Sequence, residues 1–186
     1  MRGTKFEAAF DSDKGPRMGH VEVQDQVKGV EFLRSQLYVD GARIGIFGWS
    51  YGGYMTLMCL MQAPDAFAAG VAGAPVTDWA LYDTHYTERY LSTPQANAAG
   101  YADSNVLNFA EKLRRPLLLV HGMADDNVLF AHSTALMKKL QDLQKPFDLM
   151  TYPGGKHSVI RQSGPGLHAH ANIVRFFDRE LGARDQ

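Results

Sequence analysis

Four short stretches of the chain are apolar with little alternation, at residues 43–48, 69–74, 117–121 and 147–152. Runs of that kind suit strands of a parallel sheet, which is buried on both faces. Between them the apolar residues return at helical spacing. Val23, Val27, Val30 and Leu33 mark an amphipathic helix over residues 21–35. Residues 54–61 read as a helix, as do residues 128–143, where Leu136, Leu140 and Leu143 repeat. Ile173, Phe176, Phe177 and Leu181 mark a closing helix. Strand and helix in alternation predict an α/β fold, a mostly parallel sheet with right-handed crossovers and flanking helices. Residues 92–101 read as a surface excursion with a short helix. No repeat, low-complexity tract or linker interrupts residues 1–186, which are expected to form one unit.

The first of these strands runs into Gly48-Trp49-Ser50-Tyr51-Gly52-Gly53. A strand, a sharp turn tipped by serine and then a helix is the setting in which G-x-S-x-G denotes a nucleophile elbow. The competing reading is a glycine-rich turn without chemistry. On the first reading, a side chain at Gly48 or Gly52 would crowd a turn tight enough to strain the serine backbone. A serine hydroxyl is a weak nucleophile near neutral pH, so it needs a histidine base and a carboxylate to orient that base. In this kind of fold they follow in the order Ser, Asp or Glu, His.

Asp125 and Asp126 lie in the loop after the third strand, at the carboxyl edge where an α/β sheet places its working groups. Spacing alone does not separate them, and either could instead be a solvated acid or a helix cap. Of the seven histidines, His157 sits in the loop Pro153-Gly154-Gly155-Lys156-His157 after the fourth strand. His20 and His85 precede the acids, His121 ends a strand and is expected to pack or hydrogen-bond there, and His132, His168 and His170 fall in helical stretches. His157 is therefore the candidate base. Val76, Trp79, Tyr82 and Tyr86 make the segment after the second strand richer in aromatics than a solvated loop. They read as a binding wall or as a local aromatic core.

Four segments then make a resemblance specific: Gly48-Trp49-Ser50-Tyr51-Gly52-Gly53-Tyr54, Ala74-Pro75-Val76-Thr77-Asp78-Trp79, Tyr86-Thr87-Glu88-Arg89-Tyr90 and His121-Gly122-Met123-Ala124-Asp125-Asp126-Asn127-Val128. Together, from about Arg2-Gly3 to the last helix, the chain resembles the dipeptidyl peptidase IV-like catalytic domain of the prolyl oligopeptidase family, an α/β hydrolase. The resemblance implies Ser50 as nucleophile, Asp125 as orienting acid, His157 as base and the Tyr51 amide as oxyanion donor. It also implies an apolar box for proline from Val76, Trp79, Tyr82, Tyr86, Tyr51 and Val128, with Asn127 binding a substrate carbonyl. A peptide would be the substrate, and the last strand and closing helix would serve a homodimer. Such domains carry an acidic residue before the base histidine and glycine after it, whereas this chain has Lys156-His157-Ser158. A lysine there would disfavour the imidazolium formed in catalysis.

The resemblance also implies an incomplete hydrolase sheet. The usual sheet has about eight strands with the elbow after the fifth, so the first strands are expected to be missing. A tyrosine serving as second oxyanion donor and a β-propeller would also lie upstream. Met1 would then open a partial reading frame, a truncated form or a misassigned start. The activity classes left open are a proline-preferring dipeptidyl aminopeptidase, another hydrolase of the scaffold (oligopeptidase, acylaminoacyl peptidase or esterase), and an inactive assembly module.

Composition adds bounds. With 19 basic and 20 acidic residues the net charge is -1, which gives no electrostatic reason for nucleic acid or an anionic membrane as partner. One cysteine, Cys59, permits no internal disulfide and reads as a small core residue. No apolar run reaches membrane-spanning length and no signal-peptide pattern is visible, which leaves the compartment open. His168 and His170 point apart on a helix and make a poor metal pair, and the reading calls for no metal or cofactor.

Overall fold

The computed structural model describes residues 11–12 and 15–182, so Arg2-Gly3, where the resemblance begins, lies outside the described residues. A two-residue strand, β1 (Asp11–Ser12), pairs antiparallel with β2 (Gly15–Pro16). Then follow α1 (Val21–Arg34), β3 (Gly45–Trp49), α2 (Tyr51–Gln62) and β4 (Ala69–Gly73). A 3₁₀ turn (Trp79–Leu81), α3 (Thr84–Leu91), α4 (Ala98–Asp103) and a 3₁₀ segment (Val106–Lys112) separate β4 from β5 (Leu117–Gly122). The chain continues through α5 (Ala131–Asp142), β6 (Asp148–Tyr152), a 3₁₀ turn (Val159–Arg161) and α6 (Pro165–Leu181).

The main sheet runs β3-β4-β5-β6, and every pair is parallel. Its two faces are covered by different helices, and the side chains divide by the period of two that a strand imposes. Ala69, Val71, Leu118 and Val120 pack against Ala169, Ile173 and Phe176 of α6. Ala72, Leu117 and Leu119 face the larger core built from Val23 and Val30 of α1, Tyr54 to Met61 of α2, and Leu136 and Leu140 of α5. Val23 and Val30 of α1, Leu136 and Leu140 of α5, and Ile173 and Phe176 of α6 thus enter the core as their helical period predicts, whereas Leu33, at the last turn of α1, stays 38% exposed outside it.

Burial on both faces holds for β4 and β5, whose residues are all buried, and fails for β3 and β6. Phe47 of β3 is 44% exposed and Leu149 of β6 42% exposed. Among the described residues these two strands have a neighbour on one side only. Residues 128–130 form a turn rather than the start of a helix, because Asp125 Oδ1 accepts the backbone N–H of both Asn127 and Val128, at 3.0 Å each. Among the described residues no helix is long and apolar enough to cross a membrane.

Candidate active site

Ser50 stands between the last residue of β3 and the first of α2, with φ 61° and ψ -119°. That backbone conformation costs a residue with a side chain on the order of 1–3 kcal/mol. It is held by bonds on both sides: Ser50 N–H donates to Gly73 O at 2.8 Å, and Tyr54 N–H to Ser50 O at 3.0 Å. The strained turn projects the hydroxyl beyond the carboxyl end of the sheet. The steric demand falls on Gly48 and Gly53. A Cβ on Gly48 would lie 2.1 Å from Gly52 O, and one on Gly53 would lie 2.5 Å from Gly73 O. Gly52 departs from the expectation, since a Cβ there meets nothing within 4 Å beyond its own helix. Its backbone is the surface that Gly48 must approach, and its own side-chain direction is open.

Three side chains from separate loops converge at this tip. His157 Nε2 lies 3.0 Å from Ser50 Oγ, and His157 Nδ1 lies 2.8 Å from Asp125 Oδ2. A carboxylate only accepts, so Nδ1 carries the proton and Nε2 is free to accept from the serine hydroxyl. The Asp125 side chain has no solvent exposure, while that of His157 retains 22%. Asp126, its neighbour, turns away and pairs with Lys156 at 2.8 Å, both side chains well exposed. Lys156 holds the Asp126 carboxyl below its ordinary range, and Asp126 in turn raises the lysine. The lysine that precedes His157 is thus paired with the acid that follows Asp125, at the exposed rim of the site.

The predicted wall lies beside these groups. Tyr51 begins α2, and the N–H groups of a first helical turn have no acceptor within the helix. Its ring lies 5.9 Å from Trp79, which stacks on Tyr86 at 5.8 Å and 16° and meets Tyr82 edge-on at 5.8 Å. Tyr82 donates its hydroxyl to Asn127 Oδ1 at 2.8 Å, joining the aromatic cluster to the loop that carries Asp125. Trp79, Val76 and Val128 are buried behind the cluster, at 1%, 2% and 0% exposure. Tyr51, Tyr82 and Tyr86 are half-buried and Asn127 is exposed, so these four form the accessible part of the predicted wall.

The sequence profile of the prolyl oligopeptidase family matches residues 1–184. The chain belongs to the prolyl oligopeptidase family. It is 46% identical to dipeptidyl peptidase 8 of Mus musculus over 187 residues, covering 98% of this chain and 20% of that protein. The Homo sapiens dipeptidyl peptidase 8 matches with the same identity and coverage. Among solved structures, dipeptidyl peptidase 4 of Porphyromonas gingivalis superposes with a TM-score of 0.90 at 39% identity, over 97% of this chain and 25% of that one. The chain thus spans about a fifth of the length of these curated relatives. Its sheet and helices are those of an α/β-hydrolase domain of the dipeptidyl peptidase IV-like kind.

Two contacts in this prolyl oligopeptidase family chain escape the sequence reading. Trp49 donates its indole N–H to the backbone carbonyl of His157 at 2.9 Å. Tyr51 donates its hydroxyl to Glu22 Oε1 of α1 at 2.8 Å, while Glu22 Oε2 accepts from the Gly19 amide at 3.0 Å. Burial and the Glu22 carboxylate push the Tyr51 phenol well above its ordinary value, so it stays a neutral donor. Glu22 lies in the first turn of α1, where an acid usually reads as a helix-dipole partner, so its sequence position gives no sign of the tyrosine.

Proposed function

We propose that this chain carries the catalytic groups of a serine peptidase that releases Xaa-Pro dipeptides from the amino end of peptides. The observation that supports it most is the linked series Ser50 Oγ, His157 Nε2, His157 Nδ1 and Asp125 Oδ2, with steps of 3.0 and 2.8 Å. In the reaction, His157 Nε2 takes the Ser50 proton as Oγ attacks the carbonyl carbon of the scissile bond. Asp125 keeps the imidazole in the tautomer able to do so and stabilises its charge. The Tyr51 backbone N–H meets the developing oxyanion. The tetrahedral intermediate collapses, His157 returns the proton to the leaving amine, and water repeats the sequence on the acyl-enzyme.

Proline suits the accessible wall of Tyr51, Tyr82 and Tyr86, because its ring is compact and rigid and carries no amide hydrogen to satisfy. Asn127 binds a carbonyl nearer the amino end of the peptide. The relatives named dipeptidyl peptidase support this substrate class. The test is hydrolysis of an Xaa-Pro amide by the protein as its gene encodes it. The proposal expects turnover that Ser50→Ala abolishes, and turnover unchanged in that variant would refute it. We also propose that β6 and α6 form a homodimer contact. β6 is a sheet edge among the described residues, and Leu167 and Val174 of α6 are 72% and 58% exposed. Sedimentation of Leu167→Asp should then report a monomer, and an unchanged dimer would exclude this face.

A further inference from the structure

We infer that His121 is a positioning residue for the acid of the triad: its Nε2–H donates to Asp125 Oδ2, the same oxygen that receives the Nδ1–H of His157. This inference rests on the serine-peptidase reading above.

His121 sits in β5 with no solvent exposure. Its Nε2 lies 3.2 Å from Asp125 Oδ2 and 2.9 Å from Val128 O. Both neighbours are acceptors, so Nε2 must carry a hydrogen, shared between them. Nδ1 lies 2.7 Å from Ser133 Oγ of α5, and the hydroxyl donates to it. Burial lowers the affinity of His121 for a second proton, which keeps the ring neutral in this one tautomer. The edge-on ring of Phe130, 5.4 Å away, limits its rotation. The titratable groups around it are Asp125, His157 and, from α5, His132.

The Asp125 carboxylate is thus filled on both oxygens. Oδ1 accepts two backbone N–H groups from its own turn, and Oδ2 accepts from His157 and lies 3.2 Å from Nε2 of His121. Without His121, a fully buried carboxylate oxygen would keep one donor, and the acid would lose the contact that ties it to β5. A donor also draws charge from the oxygen it meets. His121 therefore moderates the charge that Asp125 presents to His157, and its loss should be read in the pH profile of the rate. A histidine that served packing alone would have no such effect on the base.

The experiment measures kcat and KM on an Xaa-Pro amide against pH, in the protein as its gene encodes it, for the parent, His121→Leu, His121→Asn and His121→Gln. Leucine removes the donor, and asparagine carries an amide that reaches Ser133 but not Asp125. Glutamine carries an N–H to the place of Nε2. Leucine and asparagine should each lower kcat about 10- to 100-fold, the loss expected of a hydrogen bond to a charged group, with KM changed less than about threefold. The acid limb of kcat/KM should move to higher pH in both, and glutamine should restore most of the rate and the limb. If His121→Leu does not fold, asparagine against glutamine decides. Parent-like kcat and acid limb in the donor-less variants, or no rescue by glutamine, would overturn the inference. Ser50→Ala separates the two claims: parent turnover that survives it defeats the serine-peptidase reading, and this inference with it.

Discussion

Trp49 and His157 are joined by a hydrogen bond of 2.9 Å from the indole N–H to the backbone carbonyl, across 108 positions of sequence. The residue before the nucleophile therefore anchors the loop that carries the base, and the Ser50–His157 distance does not depend on the loop alone. Trp49→Phe keeps most of the ring and removes the donor. It should lower kcat on an Xaa-Pro amide about tenfold with little change in KM, which steady-state kinetics with a circular dichroism control would check.

The two adjacent aspartates should separate cleanly. Asp125→Asn keeps a carbonyl oxygen for the Asn127 and Val128 amides and so turns its NH2 donor toward His157 Nδ1, which disfavours the working tautomer and should reduce kcat by about 10⁴-fold. Asp126→Asn breaks an exposed pair with Lys156 and should cost less than about threefold. Kinetics of the two purified variants at one pH would decide, and equal losses would contradict the assignment.

Tyr82 and Tyr86 should act differently on selectivity. Tyr86→Ala opens the accessible wall and should weaken the preference for proline over a charged residue by about 1–3 kcal/mol. Tyr82→Phe removes only the bond to Asn127 Oδ1, so it should raise KM a few-fold and leave the preference intact. A panel of amide substrates differing at the residue before the cut bond measures both. An unchanged profile in Tyr86→Ala would make the cluster core alone.

Acid should destabilise the fold through His132. Burial, followed by the nearby His121, pushes its pKa down to about 4, and its Nδ1 accepts the Thr77 amide at 3.2 Å. The unfolded chain would protonate this residue near 6.5. Between these values the unfolded state holds the extra proton, so stability rises with pH. It is fully present above about 6.5 and falls toward 4, by on the order of 1–3 kcal/mol. Urea unfolding at several pH values would show the slope, and His132→Asn, which keeps an acceptor for Thr77, should flatten it.

The fold and the site were legible in the sequence to different depths. Apolar runs specify β4 and β5 because both faces are covered, but a run does not say which strands have a neighbour on one side only, and Phe47 and Leu149 are exposed for that reason. G-x-S-x-G in its strand-to-helix setting points to Ser50, while Gly52 shows that a motif position can be sterically open in the fold. Asp125 and Asp126 are equivalent in spacing. Only the turn closed by the Asn127 and Val128 amides sends one inward and leaves the other to Lys156. The bonds Trp49 to His157 and Glu22 to Tyr51 join residues far apart in sequence, and no local pattern announces them.

The central claim is that Ser50 is a nucleophile activated by His157 and Asp125. The most direct measurement is the reaction of the protein, as its gene encodes it, with a fluorophosphonate, followed by mass spectrometry of the labelled peptide. The account predicts one stoichiometric adduct on Ser50, absent in Ser50→Ala and formed at least about 10³-fold more slowly in His157→Ala. An adduct on another residue, or labelling of the His157→Ala variant at the parent rate, would contradict it.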